Sequence, residues 1–177
     1  MSDDNQSRGP LRDASVVVAR DSDDRVAILS ADFPRHGGEH LFLPGGRRED
    51  GETPEQCARR ELREEAGVTA DVWRSLGSYV ITLDLAARIH LFEATSLTCG
   101  PQELMPSEEG FKLMWMAAAD ALDAVSQGRF LLPAGPLAML LAETSRRNYA
   151  VGEGHPLGRT PPRSRSLTKP YEGSKEE

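Results

Sequence analysis

Residues 46–68 read GRREDGETPEQCARRELREEAGV and carry the clearest structural pattern in the chain. Thr53 followed three residues later by Gln56 forms a capping box, and Pro54 suits the first position of a helix. Gly67 suits the residue at which a helix ends. The stretch therefore predicts a helix that begins after Thr53 and ends before Gly67.

Three glutamates fall on one side of this predicted helix. At about 100° per residue, the side chains of Glu61, Glu64 and Glu65 span only about 100° of arc. Like charges three or four residues apart destabilise a helix by roughly 0.2–0.5 kcal/mol per pair, so a cation should lie against this face. Hard divalent cations such as Mg²⁺ prefer oxygen ligands, especially beside substrate phosphates. The helix therefore predicts a metal-dependent phosphate site. A solvated helix whose neighbouring arginines balance the acids is the alternative.

The residues around the helix complete a longer pattern. The turn Pro44-Gly45-Gly46 follows a short apolar run, which predicts a strand leading into a tight loop. Gly46 is followed by five residues, Glu52, seven residues and then RELREEAGV at 60–68. This segment resembles the signature of the Nudix hydrolase family, Gly-x5-Glu-x7-Arg-Glu-aliphatic-x-Glu-Glu-x-Gly-aliphatic. Every specified position holds the expected residue type.

The rest of the chain predicts alternating strands and helices. Predicted strands cover 15–19, 25–29, 41–43, 72–81, 88–94 and 111–116, and further helices cover 117–127 and 137–147. This order indicates an α/β (α+β) class, and the resemblance implies the Nudix α/β/α sandwich with a mixed β-sheet between helices. We expect a Nudix hydrolase domain at 13–150, a flexible N-terminus at 1–12 and a disordered C-terminal tail at 151–177.

Composition and charge exclude several classes of function. The net charge of −7 argues against a nucleic-acid partner. The chain has no apolar run near ~20 residues, and its start is neither basic nor apolar, which argues against a membrane span or a secretory signal. The two cysteines form no CxxC pair, and a reducing cytoplasm is the expected location. Pairing into a homodimer stays open.

The resemblance implies a reaction and a set of site residues. Nudix hydrolases cleave a diphosphate joined to another moiety, using Mg²⁺ or Mn²⁺ and water. Glu61, Glu64 and Glu65 match the metal ligands of the signature, and the backbone carbonyl of Gly45 is expected to join them. Arg60 matches the arginine that orients the glutamates by ion pairing, and Glu64 lies within its reach.

The general base is expected outside the signature. In ADP-ribose-cleaving Nudix enzymes it is often a glutamate in a loop well past this segment. The run PSEEGF at 106–111 is the only acidic loop in that place, so Glu108 or Glu109 is the candidate. A base must reach the attacking water within ~3 Å, directly or through one water, and the sequence leaves both residues open.

The substrate prediction also comes from resemblance. Residues 73–78 and 88–92, together with the last two predicted helices, resemble the ADP-ribose and ADP-sugar pyrophosphatase branch, which produces AMP and a sugar phosphate. Phe33 is a candidate to stack on a base, and Arg35 or Arg88 to contact phosphate. The alternatives are a core-edge phenylalanine and ordinary surface arginines.

Two other functions remain open. A nucleoside-triphosphate pyrophosphohydrolase of the housecleaning type is favoured by the Pro-Gly-Gly turn and by the short segment before the first predicted strand. A catalytically silent domain that binds a nucleotide as a sensor is the other, although such domains commonly lose glutamates of the signature. In each case the expected partner is a small nucleotide carrying a diphosphate.

Overall fold

The computed structural model describes residues 12–83 and 85–152. Within this part of the chain seven strands are present, namely β1 (Ala14–Ala19), β2 (Arg25–Phe33), β3 (Gly38–Phe42), β4 (Gly45–Arg47), β5 (Val68–Thr82), β6 (Leu85–Cys99) and β7 (Lys112–Ala117). The described helices are α1 (Pro54–Ala66), α2 (Ala118–Ser126) and α3 (Ala134–Gly152). None of them is both long enough and apolar enough to cross a bilayer. The expectations for 1–12 and 151–177 lie outside the described residues, apart from Arg12 and the end of α3.

The described strands form two sheets. The larger has the order β4-β1-β6-β5, in which β1 and β6 are parallel and the other pairs antiparallel. The smaller has the order β3-β2-β7 and is antiparallel throughout. The predicted α/β/α class is confirmed. The strands nevertheless divide into two sheets, because β1 and β2 meet through only a single bridge, between Arg20 and Val26.

Alternation along β1 gives the molecule two cores, one on each side of the larger sheet. Val17 packs with Leu62 of α1 on one side, and Val18 packs with Met139 of α3 on the other. Successive side chains of a strand point to opposite faces, so one short apolar strand serves both cores. Helix α1 therefore covers one face, and α2 and α3 cover the other.

Several boundaries differ from the predictions. Strand β2 continues to Phe33, beyond the predicted 25–29, and α3 begins at Ala134, before the predicted start at 137. Strands β5 and β6 each extend over 15 residues, and the expected loop at 97–110 begins only after Cys99. Val68 pairs with Cys99, so the two strands stay paired beyond the apolar runs that predict them from the sequence. Strand β4 was expected as part of a loop, but Gly45 and Gly46 pair with β1. Glycine has weak strand propensity, so tertiary pairing decides this segment.

Candidate active site

Helix α1 begins and ends where the sequence predicts. The side-chain oxygen of Thr53 accepts a hydrogen bond from the Gln56 amide at 3.2 Å, and the Gln56 side chain accepts one from the Thr53 amide at 2.8 Å. Gly67 ends the helix in the left-handed conformation, with φ of 62°. A Cβ at Gly67 would also collide with the carbonyl oxygen of Gly100. These two ends fix the rotation of the helix and hence the direction of its glutamates.

Glu65 is buried against the strand that precedes α1. Glu65 is only 4% exposed, and its Oε2 accepts a hydrogen bond from the Gly45 amide at 2.8 Å. Burial raises the pKa of Glu65 to about 8, and the charges of Glu61 and Glu108 add to this rise. Among the described residues, Glu65 takes part in no ion pair. A buried carboxylate is therefore left with a backbone hydrogen bond and no cation.

Glu61 lies beside it against the Pro-Gly-Gly turn. The residue is 6% exposed, and Glu61 Oε1 accepts a hydrogen bond from Arg60 Nη1 at 2.9 Å. Burial raises the pKa of Glu61, and the Arg60 charge opposes that rise. A Cβ at Gly46 would overlap the Glu61 carboxylate. The second glycine of the turn is thus needed for the carboxylate to approach the backbone this closely.

Arg60 holds the polar side of this arrangement together. Its Nε donates to Glu52 at 2.8 Å, its Nη1 to Glu64 at 3.2 Å and its Nη2 to the Arg47 carbonyl at 3.0 Å. Hydrogen bonding to Glu52 is the main cause that raises the pKa of Arg60. Glu64 also accepts a hydrogen bond from Arg63 at 3.0 Å. Arg60 thus contacts both Glu61 and Glu64, and its orienting role stays a prediction.

A cleft of about 460 Å³ opens beside these groups. The carboxylates of Glu61, Glu65 and Glu108 line it together with Gly45 and Arg60. The structure therefore brings five of the predicted site residues to one place, although Glu108 is more than 40 residues from the helix in sequence.

The two candidate bases differ in position. Glu108 ends a short 3₁₀ turn (Pro106–Glu108), is half-buried and lines the cleft. Its negative charge contributes to the raised pKa values of both Glu61 and Glu65, so its carboxylate is close to theirs. Glu109 is exposed and is not part of the cleft lining. Of the two, only Glu108 lines the cleft, and the role of a base stays a prediction.

Three arginines that line the cleft are not among the site residues predicted from the sequence. Arg12, Arg47 and Arg48 line it near the carboxylates. Arg12 forms an ion pair with Asp50 at 3.0 Å, and Arg48 lies 3.8 Å from Asp13. The pair at 47–48 stands among the unspecified positions of the signature, and that location is the signal that could have found it.

The predicted substrate contacts lie elsewhere. Phe33 and Arg35 line a separate cleft of about 350 Å³ with His36. Arg88 donates from Nε and Nη2 to the side chain and carbonyl of Ser78, both at 2.8 Å. The structure does not bring these three residues to the carboxylate cleft, and their substrate roles stay predictions.

A second pocket adjoins the cleft and was not expected. Its volume is about 250 Å³ and its lining is mainly apolar, with Phe42, Ile89 and Leu132 among its residues. It shares Gly45 and Gly46 with the carboxylate cleft. The lining comes from distant strands and from the start of α3, so no local pattern reveals it.

The donor set of the cleft suits a divalent cation. Carboxylate and carbonyl oxygens are ligands that Mg²⁺ and Mn²⁺ accept, and the buried Glu65 carboxylate lacks a cation partner. No three acidic, histidine or cysteine side chains of the described residues converge on one point. Two carboxylates of α1, those of Glu61 and Glu64, instead accept hydrogen bonds from Arg60. The residues present fit a divalent metal ion, which the carboxylates of α1 and the Gly45 carbonyl would hold.

An α/β/α sandwich with a carboxylate-lined cleft at a glycine turn suits the class of hydrolases that use divalent metals to cleave phosphate bonds. Within that class, the family model of the NUDIX domain matches residues 10–133. The chain belongs to the Nudix hydrolase family, as its signature predicts. Members of this family generally use divalent metal ions and act on small nucleotide substrates.

Several curated proteins are similar to this chain. An 8-oxo-(d)GTP phosphatase of Mycolicibacterium smegmatis is 28% identical over 127 residues, 67% of this chain and 38% of the relative. The 8-oxo-dGTP diphosphatase of Escherichia coli is 40% identical over 55 residues, 31% of this chain and 43% of the relative. Nudix hydrolase 21 of Arabidopsis thaliana is 31% identical over 99 residues, 55% of this chain and 48% of the relative. The chain thus spans less than half of each of these relatives.

Two solved structures share the fold. An ADP compounds hydrolase superposes with a TM-score of 0.66 at 22% identity, covering 83% of this chain and 77% of the other. A structure of MutT, from work on Aliivibrio salmonicida and Vibrio cholerae, superposes with a TM-score of 0.55 at 23% identity. The match covers 75% of this chain and 97% of the other. At these identities the likeness concerns the fold.

Proposed function

We propose that this protein is a divalent-metal-dependent hydrolase that cleaves the diphosphate of ADP-ribose or another ADP-sugar. The products would be AMP and a sugar phosphate. The observation that carries this proposal is the cleft lined by two buried carboxylates, Glu61 and Glu65, and by Glu108 from a separate loop. Such a set provides both metal ligands and a base, which hydrolysis of a phosphoanhydride requires.

The adjoining apolar pocket supports a nucleoside at one end of the substrate. Ligand pockets are mostly apolar, with a few polar groups that fix orientation. Phe42, Ile89 and Leu132 provide apolar surface for a base and ribose. Because the pocket and the cleft share Gly45 and Gly46, phosphates attached to that nucleoside would extend across the glycine turn to the carboxylates.

The proposed metal ligands are Glu61, Glu64, Glu65 and the carbonyl of Gly45. A bound Mg²⁺ or Mn²⁺ would neutralise the diphosphate and lower the pKa of the attacking water. Arg60 holds the carboxylates of α1 in position through its hydrogen bonds.

Glu108 would accept one proton from the attacking water. The water oxygen then forms a bond to one phosphorus, and the bridging P–O bond breaks. The bridging oxygen leaves with the other phosphate, so hydrolysis yields two monophosphates. Arg47 and Arg48 are placed to contact phosphate oxygens, with which guanidinium groups form charge-assisted hydrogen bonds.

An ADP-linked substrate is proposed because residues 73–78 and 88–92 resemble the ADP-sugar branch. The ADP compounds hydrolase shares the fold at 22% identity, and that likeness concerns the fold alone. The expected roles of Phe33, Arg35 and Arg88 remain part of this proposal. They would require contacts with the part of the substrate that lies outside the carboxylate cleft.

A nucleoside triphosphate is the second candidate. Curated relatives of this chain are named 8-oxo-dGTP diphosphatases. The three arginines of the cleft would also suit the higher charge of a triphosphate. In this case the products would be a nucleoside monophosphate and pyrophosphate.

A substrate panel separates the candidates. The full chain with Mg²⁺ is incubated with ADP-ribose, ADP-sugars, dinucleotides, dGTP and 8-oxo-dGTP in ¹⁸O water, and labelled products are identified. Release of AMP from ADP-ribose at micromolar enzyme supports the first proposal, and pyrophosphate from a triphosphate supports the second. If no compound is cleaved while a nucleotide still binds, the sensor alternative holds.

The homodimer stays a prediction. Sedimentation equilibrium of the full chain measures it directly, because the mass in solution is that of one chain or of two.

A further inference from the structure

Three phenylalanine rings form a row that reaches the apolar pocket. Phe42, at the end of β3, lines this pocket. Phe33 contacts Phe42 edge to face, with ring centroids 5.7 Å apart, and Phe111 contacts it edge to face at 4.8 Å. Edge-to-face pairs of this kind stabilise beyond the area that they bury. Phe42 is therefore held from both sides.

Phe111 stands at the end of the loop that carries Glu108. The Phe111 amide donates to the Glu108 carbonyl at 2.7 Å, and the Glu108 amide donates to the Met105 carbonyl at 2.8 Å. The Met105 amide in turn donates to Glu108 Oε2 at 3.1 Å. The loop thus forms a small closed unit whose shape is set by its own backbone.

That unit has few contacts with the rest of the protein. Of the residues from 105 to 111, only Glu108 and Phe111 are half-buried, and the others are exposed. Glu108 lines the cleft. Just before the unit, the Glu103 amide donates to the Glu64 carbonyl at 2.8 Å and ties that side of the loop to α1. After Glu108, Phe111 is the half-buried apolar side chain that attaches the loop, through Phe42. On that side, the position of the Glu108 carboxylate depends on the contact between Phe111 and Phe42.

We propose that Phe111 is a positioning residue, which holds Glu108 over the cleft by packing on Phe42. The inference rests on the proposed function, in which Glu108 is the base. Phe42 also forms a wall of the apolar pocket, so the nucleoside site and the base share one side chain. A nucleoside that occupies the pocket would restrain Phe42 and, through Phe111, the loop of Glu108.

Phe111→Leu tests this arrangement by removing the ring while keeping an apolar side chain. We expect kcat to fall by about two- to tenfold, the range that corresponds to the loss of one aromatic pair. KM should change less than twofold, because Phe33 still holds Phe42. In a Glu108→Gln background the same change should cause no further loss of kcat, since the two residues act through one step.

A second measurement does not depend on activity. Amide hydrogen exchange at Glu108 and Phe111 should accelerate in Phe111→Leu, because the hydrogen bonds of the loop open more often. Trp73→Leu is the matched control, since it removes an edge-to-face contact with Phe92 at 6.2 Å, away from the cleft. It should leave both the exchange in the loop and kcat unchanged.

Unchanged exchange in the loop of Phe111→Leu would overturn the inference, whether or not a substrate has been found. An equal loss of kcat with and without Glu108 would also overturn it, because the effect would then be general. Wild-type protein that cleaves no member of the substrate panel overturns the proposed function instead, and exchange then decides whether Phe111 holds the loop.

Discussion

The two ends of β1 carry charged clusters that are built differently. Near its start, Glu61 and Glu65 are buried, and Arg60 pairs with Glu61 whereas Glu65 accepts a hydrogen bond from the Gly45 amide. Beyond its end, Arg20 is 4% exposed and contacts Asp24 at 2.6 Å, Glu93 at 3.5 Å and also Glu143. Arg74 and Arg146 complete this second cluster, which we call the Arg20 network.

The difference lies in charge balance. In the Arg20 network each acid faces at least one arginine, and a hydrogen bond from Arg146 is the main cause that lowers the pKa of Asp24. At the cleft, burial without a matching cation raises the pKa of Glu65 to about 8. A balanced buried cluster can serve structure alone, whereas an unbalanced one indicates a place for a ligand cation.

The largest expected effect comes from Glu65→Gln. Losing a metal ligand removes several kcal/mol of transition-state stabilisation, so kcat should fall by about 10³-fold or more. Steady-state kinetics on the substrate found by the panel measures this. Glu143→Gln, in the Arg20 network, is the control and should leave kcat within about twofold. Equal activity of Glu65→Gln and wild type would remove the carboxylate cleft from the mechanism.

Arg20→Ala should affect stability rather than chemistry. Removing one partner of a buried ionic cluster costs roughly 3–5 kcal/mol, because the remaining charges stay buried. Urea denaturation should show this loss in the free energy of unfolding. The folded fraction should retain the kcat of wild type. A variant that is as stable as wild type would show that the network contributes little.

Arg60→Ala should misplace the carboxylates of α1 without removing any of them. Groups that orient metal ligands typically contribute about 10- to 100-fold, and we expect a loss of this size in kcat/KM. Arg59→Ala is the control on the same helix, because Arg59 pairs with the exposed Glu55 at 2.8 Å. If both variants lose activity equally, the effect belongs to helix stability and not to orientation.

The last expected effect is a pH dependence of the stability of the metal-free protein. The folded pKa of Glu65, about 8, lies above its unfolded value near 4.5. Between these values the folded state holds a proton that the unfolded state has lost, so stability falls as pH rises, until both states are ionised above about 8.

Thermal unfolding with a chelator from pH 5.5 to 8.5 tests this sign. Wild type should lose more stability across the range than Glu65→Gln, which cannot ionise. Because the histidines are the same in both proteins, their titration cancels in the difference. A steeper decline in Glu65→Gln than in wild type would contradict the buried, unpaired state of this carboxylate.

Much of the site could be predicted because it is local. The capping box at Thr53 and the glycine at 67 determine the helix, and its 3.6-residue period brings the glutamates to one face. The substrate side could not be predicted in this way. Phe33 and Arg35 line a separate cleft on β2 and the turn after it, whereas Arg12 and the arginines at 47–48 come together where β1 pairs with β4.

Residues 46–68 predict the family and the helix, and both predictions are confirmed, because these features depend on short-range geometry. The same residues also indicate an acidic ligand set, which stays a prediction. The packing of remote segments sets which loop glutamate approaches the glutamates of α1, since Glu108 reaches the cleft through a distant turn. The same packing also sets which buried charges are balanced. Burial and ion pairing arise when remote segments pack together, and the order of residues along the chain does not specify those neighbours.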